Sequence, residues 1–136
     1  MNRLLLAVSL VLFGGAQAIA GVDSMDLGST SVDSTGGGTV TVTGASSGDL
    51  QGFVISVSHD SAVITLDSID ILGTDTDIAG AEFVVPTTYA DGGTIGVVLD
   101  FNAPYDGQVI SGGSGLSLAN YNYSCNNAVF YTEGEA

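Results

Sequence analysis

Thr94-Ile95-Gly96-Val97-Val98-Leu99-Asp100-Phe101 is the stretch on which the fold turns. Ile95, Val97, Val98, Leu99 and Phe101 make it strongly apolar and rich in β-branched side chains, which predicts a central strand buried on at least one face. Upstream, Thr39-Val40-Thr41-Val42-Thr43 alternates between Gly36-Gly37-Gly38 and Gly44-Ala45-Ser46-Ser47-Gly48, and Phe53-Val54-Ile55-Ser56-Val57-Ser58 follows Gly52. Ala62 to Leu66 and Ile69 to Leu72 are short β-branched pieces, and Ala81 to Val85 is ended by Pro86. Downstream, Leu116 to Ser124 alternates. Leu116, Leu118, Asn120, Asn122 and Ser124 are expected on one face, and Ala119, Tyr121, Tyr123 and Cys125 on the other. Ala128 to Thr132 is the candidate last strand. Gly92-Gly93, Asp106-Gly107 and Gly112-Gly113-Ser114-Gly115 carry turn chemistry, with Asp-Gly suited to a tight hairpin. Beyond residue 20 no window holds an amphipathic helical stripe. About eight or nine short strands separated by Gly, Asp and Ser predict an all-β, jelly-roll β-sandwich.

The first twenty residues read as a secretory signal. Met1-Asn2-Arg3 is a short positive region, Leu4 to Phe13 is apolar except for Ser9, and Gly14-Gly15 ends the run. Ala16-Gln17-Ala18 and Ala18-Ile19-Ala20 then offer small-x-small cleavage sites. The run is too short to cross a bilayer, which takes about 20 residues, and no Cys stands near the cleavage sites for a lipid anchor. The expected organisation is a signal peptide over 1–20 and one domain over 21–136, secreted to the cell exterior.

Charge narrows the function classes. Arg3 is the only Lys or Arg, while Asp and Glu number 15 and all lie beyond the cleavage sites. Internal salt bridges are thus excluded, apart from any made by His59 or the new amino terminus. Each carboxylate must be solvated, bonded to backbone N–H, used as a cap, or neutralised by a cation. Nucleic acid and anionic membranes are excluded as partners, and salt or divalent ions should relieve the self-repulsion. With 45% hydrophobic residues the chain is not a disordered acidic tail.

Few residues are equipped for catalysis. Gly44-Ala45-Ser46-Ser47-Gly48 matches G-x-S-x-G, but a nucleophile elbow needs a helix after the Ser, and here Asp49-Leu50-Gln51-Gly52 leads into another strand. His59-Asp60 are neighbours, which on a strand point to opposite faces, so they do not form a catalytic pair; Asp60 is instead suited to fixing the turn into Ala62-Val63. No acid is marked as a glycosidase catalyst, and two of the three Glu, Glu133 and Glu135, fall in the tail. A non-catalytic role is expected. Asp67, Asp70, Asp75 and Asp77 crowd one stretch, and Asp75-Thr76-Asp77 places two carboxylates on one side if extended. They are the candidate Ca²⁺ ligands, although no EF-hand pattern is present, and exposed loop Asp residues are the competing reading. Tyr89 and Tyr105 fall in loops where they could stack on sugars, whereas Tyr121 and Tyr123 read as strand residues on one face. The sequon Asn122-Tyr123-Ser124 lies inside a strand. Cys125, the only cysteine, is a small buried hydrophobe or a thiol that links two chains; its alternating neighbours favour the first.

The stretch from Gly36 to about Cys125 resembles the cohesin family. The likeness is carried by Gly38-Thr39-Val40-Thr41-Val42, by Leu50-Gln51-Gly52-Phe53-Val54-Ile55-Ser56-Val57-Ser58-His59-Asp60, and by Ala62-Val63-Ile64-Thr65-Leu66. Gly96-Val97-Val98-Leu99-Asp100-Phe101 and Leu116 to Tyr123 also fall where that family has strands. The resemblance is nearest to divergent cohesin-like domains, which carry His-Asp where cellulosomal ones carry Tyr-Asp. It implies a nine-stranded jelly-roll sandwich that docks a partner protein, in cellulosomal systems a calcium-loaded dockerin, through one sheet face. The same architecture is shared with a carbohydrate-binding module family, which makes polysaccharide binding the alternative function.

Overall fold

The alternation of Val and Thr over residues 39–43 calls for one dry and one wet face, and two stacked antiparallel sheets supply them. The computed structural model describes residues 4–5, 21–32 and 36–126. The rest of the predicted signal, the predicted last strand from Ala128 to Thr132, Glu133 and Glu135 lie outside the described residues. In chain order the elements are β1 (Leu4–Leu5), β2 (Ser24–Leu27), β3 (Ser31–Val32), β4 (Gly38–Ser46), β5 (Gly52–Ser58), β6 (Ile64–Asp70), α1 (Asp75–Ile78), β7 (Phe83–Tyr89), β8 (Gly92–Val98) and β9 (Gly113–Cys125). One sheet has the order β2-β4-β9-β6, the other β5-β8-β7, and β1 pairs with β3. The protein is an all-β sandwich, as its composition predicts.

The core lies between the sheets. Val40, Val42, Ile64, Leu66, Ile69, Tyr121 and Tyr123 come from the four-stranded sheet, and Phe53, Ile55, Val57, Ile95 and Val97 face them from the three-stranded one. Leu50, Leu99 and Ile110 are also buried among them. Burial of side chains this size contributes roughly 1.5–3 kcal/mol each and is the main favourable term. The phenol of Tyr121 donates across the sandwich to the Ile55 carbonyl at 3.1 Å, linking the two sheets through the core.

Several expectations from sequence are corrected. Pro86 does not end its strand; β7 runs through it to Tyr89. β7 is the outer strand of its sheet, a position where the missing N–H costs no ladder bond. Gly92-Gly93 is not a turn but the start of β8, paired with Ser58 and Val57, and the turn is Ala90-Asp91. A Cβ on Gly93 would lie 2.5 Å from Leu66 Cδ2 and 2.8 Å from Ile69 Cδ1, so any larger residue here would push these two side chains of the facing sheet aside. Asp106-Gly107 lies in the long β8–β9 connection and makes no hairpin. The two pieces predicted around Ala62 to Leu72 are one strand, β6, with a register shift between Leu66 and Ser68. The predicted faces of the late strand also change. A shift in the β4–β9 register leaves Leu118 out of step, so Leu118 is buried beside Ala119 and not on the wet face with Asn120 and Asn122.

The carboxylates without cations find backbone N–H groups. Asp23 accepts from Ser47, Asp49 from Gly112, and Asp60 from Ala62, the last fixing the predicted turn. Asp100 accepts from both Asp106 and Gly107. Charged acceptors make such bonds stronger than neutral ones, so the loops are held by the groups that would otherwise only repel.

Candidate interaction face

β5, β8 and β7 contain no charged residue, in a chain with 15 carboxylates. Alternation sends Phe53, Ile55, Val57, Ile95 and Val97 inward, and the register then fixes what lies outside. One outer row sets Val54, Gly96 and Val85 side by side, and the next sets Val98 beside Phe83. Ser56, Thr94 and Thr87 form a third row, and Ser58, Gly92 and Tyr89 a fourth. Val54 is 70% exposed, and Val85, Val98 and Phe83 are all open to solvent. A Cβ on Gly96 would touch nothing within 4 Å, so the residue leaves a flat floor between Val54 and Val85.

Phe101 extends this surface. Its ring stacks on Phe83 at 4.6 Å between centroids, with 30° between planes, and half of the residue remains exposed. Glu82 holds it there by accepting the N–H groups of Phe101 at 2.8 Å and Asn102 at 2.5 Å. The Asn102 N–H leads in lowering the Glu82 pKa below its ordinary value; partial desolvation opposes this, and the Phe101 N–H and Gln108 amide reinforce it.

The opposite outer face is different. Thr39 donates to Asn122 at 2.7 Å and Thr41 to Asn120 at 2.9 Å. Asn120 donates to Asp70 Oδ1 at 3.0 Å, and Asn122 donates to Asp70 Oδ2 at 2.8 Å and to Ser68 at 3.0 Å. Burial pushes the Asp70 carboxyl up, but the bonds from Asn120, Asn122 and the Leu72 N–H together outweigh it and the pKa falls below the ordinary value. This face is a polar ladder whose side chains satisfy one another.

The four candidate calcium ligands are not brought together. Asp67 accepts from Ser124 Oγ, and Asp70 belongs to the ladder. Asp75 accepts from the N–H and Oγ of Ser117, and Asp77 from the Gly73 N–H. Asp75-Thr76-Asp77 is not extended. Thr74 caps a one-turn helix, and Thr76 is buried with its hydroxyl on the Leu118 carbonyl. Among the described residues no three His, Cys, Asp or Glu side chains are grouped to hold a metal.

The remaining candidates fall in separate places. Ser46 ends β4, is buried, and gives its hydroxyl to the Gly48 carbonyl at 2.6 Å, with no helix after it. His59 Nε2 lies 3.1 Å from the Ala90 carbonyl, and its ring meets Tyr123 edge-on at 5.5 Å. Tyr89, at the end of β7, and Tyr105, in the loop, are both exposed. Tyr121 and Tyr123 are buried on one face as predicted. Cys125 is half-buried against the core at the end of β9. The apolar outer face was not singled out from sequence. Its signal was Val54, an apolar side chain in the set otherwise held by Ser56 and Ser58.

Among the described residues no helix is long and apolar enough to cross a membrane. Comparison with protein-family models, with curated proteins and with solved structures found no match.

Proposed function

We propose that this chain is a secreted, non-catalytic interaction module of cohesin-like type, docking a partner protein through the outer face of the β5-β8-β7 sheet. The observation that carries the reading is the contrast between the two outer faces. One is a self-satisfied polar ladder; the other is uncharged and exposes Val54, Val85, Val98, Phe83 and Phe101 side by side. Contiguous exposed apolar surface rimmed by polar groups is typical of interaction sites. The partner that fits is neutral or basic, since the rest of the surface repels acidic proteins and steers complementary ones. The residue likeness to cohesins makes a dockerin-type module the first partner to try. The signal-like residues 1–20 support export, and the buried Ser46, whose hydroxyl is given to the Gly48 carbonyl, supports a role without catalysis.

The test is calorimetric titration of the full chain with a panel of dockerin-type modules, in EDTA and in millimolar Ca²⁺. A saturable complex that Val85→Lys weakens about tenfold or more supports the reading. Silence across the panel, or a complex indifferent to Val85→Lys, ends it. A second reading, a carbohydrate-binding module, rests on the exposure of Tyr89 and Tyr105; retention on polysaccharide columns that is lost in Tyr89→Ala or Tyr105→Ala would favour it instead.

A further inference from the structure

We infer that the partner contributes an extended, uncharged or basic segment that adds as a fourth strand along the open edge of β5. This rests on the docking reading above and specifies how the partner is gripped.

Four edges bound the two sheets, and three of them are blunted. β2 is four residues long and carries Asp26. β6 carries Asp67 and Asp70 and has a register shift. β7 has Pro86 in its middle. These are the ordinary devices that stop a sheet edge from recruiting another strand. β5 has none of them. It pairs with β8 over seven residues, from Gly52↔Val98 to Ser58↔Gly92, without a shift, a charge or a proline.

The ladder's phase shows which groups are on offer. The Leu99 N–H bonds to the Gln51 carbonyl at one end and the His59 N–H to the Asp91 carbonyl at the other. Odd-numbered residues of β5 therefore face β8, and Val54, Ser56 and Ser58 direct their N–H and C=O outward, where no strand lies among the described residues. Two residues upstream of this edge, strand addition has already begun. Leu50 exchanges both backbone bonds with Ile110, at 2.8 and 3.0 Å, on the same outward side. Beyond Ile110 no described strand pairs with the row for the length of β5, about 23 Å at the usual rise per residue.

Charge selects the occupant. A second copy would bring another fifteen carboxylates and at most one Arg, and self-repulsion opposes that pairing. A neutral or basic segment meets no such barrier. Main-chain bonds supply the grip, and alternate apolar side chains continue the row of Val54, Gly96 and Val85.

The test pans a displayed library of random linear dodecapeptides on the full chain, then follows amide exchange with the synthetic winner. Expected are peptides without Pro, Asp or Glu and with alternating apolar residues. On binding, the amides of Val54, Ser56 and Ser58 should slow about tenfold or more, from fast exchange in the free protein. Ser56→Pro, which removes an outward N–H and no β8 bond, should weaken binding about tenfold; Ser58→Pro, which removes the next outward N–H nearer the strand end, tests the edge if the first variant fails to fold. Binding lost in Val85→Lys but kept in both edge variants leaves face docking standing and overturns strand addition. Peptides indifferent to Val85→Lys count against the face itself. Protection of the three amides in the free monomer would mean that the chain covers its own edge. Protection that rises with concentration alongside a dimer mass would mean a second copy. Either outcome overturns the proposal.

Discussion

Tyr121 and Tyr123 sit two residues apart on the same buried face of β9, yet replacing Tyr121 by Phe should cost stability and replacing Tyr123 by Phe should not. The Tyr121 hydroxyl donates to the Ile55 carbonyl at 3.1 Å in the facing sheet. The Tyr123 hydroxyl is buried and has no hydrogen-bond partner among the described residues. Burial raises both phenols, Tyr121 with a further push from Tyr123, and it takes Tyr123 up to about 12. Tyr121→Phe removes one buried bond, whose net value is about 1 kcal/mol, and leaves the Ile55 carbonyl its place in the β5–β8 ladder. Tyr123→Phe removes a hydroxyl whose desolvation, roughly 1–3 kcal/mol, is not offset by a bond, so the variant should be neutral or more stable by about 1 kcal/mol. The variants should therefore differ by about 1–2 kcal/mol, or roughly 4–8 °C in Tm for a domain near 100 residues. Urea unfolding followed by tyrosine near-UV dichroism gives both values, provided the m-values agree. If Tyr123→Phe loses as much stability as Tyr121→Phe, the unpaired-hydroxyl argument is wrong.

Gly93→Ala pushes a methyl group against Leu66 and Ile69 and should cost about 1–3 kcal/mol in urea unfolding; an unchanged midpoint would mean that the sheets have slack at this point. The Asp70 carboxyl is held below its ordinary pKa, so the unfolded chain binds the proton first on acidification. Its contribution is complete above the unfolded value of about 3.9 and is lost as pH falls through the lower folded value. Asp70→Asn should flatten that acid limb in a plot of Tm against pH, and parallel limbs in the two proteins would contradict the assignment. Salt should raise Tm between about 10 and 500 mM NaCl, because 15 carboxylates face a single Arg and there are almost no ion pairs to weaken. A Tm that falls over that range would show that attraction between charges outweighs the repulsion.

What the sequence made legible were the features that depend on neighbours along the chain. Val40 and Val42 between threonines, Ile95 and Val97 in an apolar run, and Asp60 before Ala62 each carry their own local signal, and each is where that signal puts it. The misreadings came from partners distant in sequence. Gly92-Gly93 looks like a turn until Leu66 and Ile69 crowd it from the other sheet, and Pro86 looks like a stop until β7 proves to be an edge. Leu118 looks outward-facing until its pairing with β4 slips. Asp75 and Asp77 look like paired ligands until Thr74 caps the helical turn that contains both. Of the candidate face, only Val54 showed through. That Val85 and Val98 flank Gly96 and share a surface with Val54 and Phe83 is a fact of register, which no single strand records.

The carboxylate clamps on the loops have a consequence for how this protein can change over time. A salt bridge binds two side chains to each other's fate, so losing one strands its mate. At Asp49, Asp60 and Asp100 the other half of the bond is main chain, which every residue except proline provides. Each clamp therefore asks for one side chain instead of two: Ala62 is free to drift while its turn keeps its shape, whereas Gly107, at a φ of 81°, and Gly112, against the Gly48 backbone, are kept as glycine by their own backbone and not by the carboxylate.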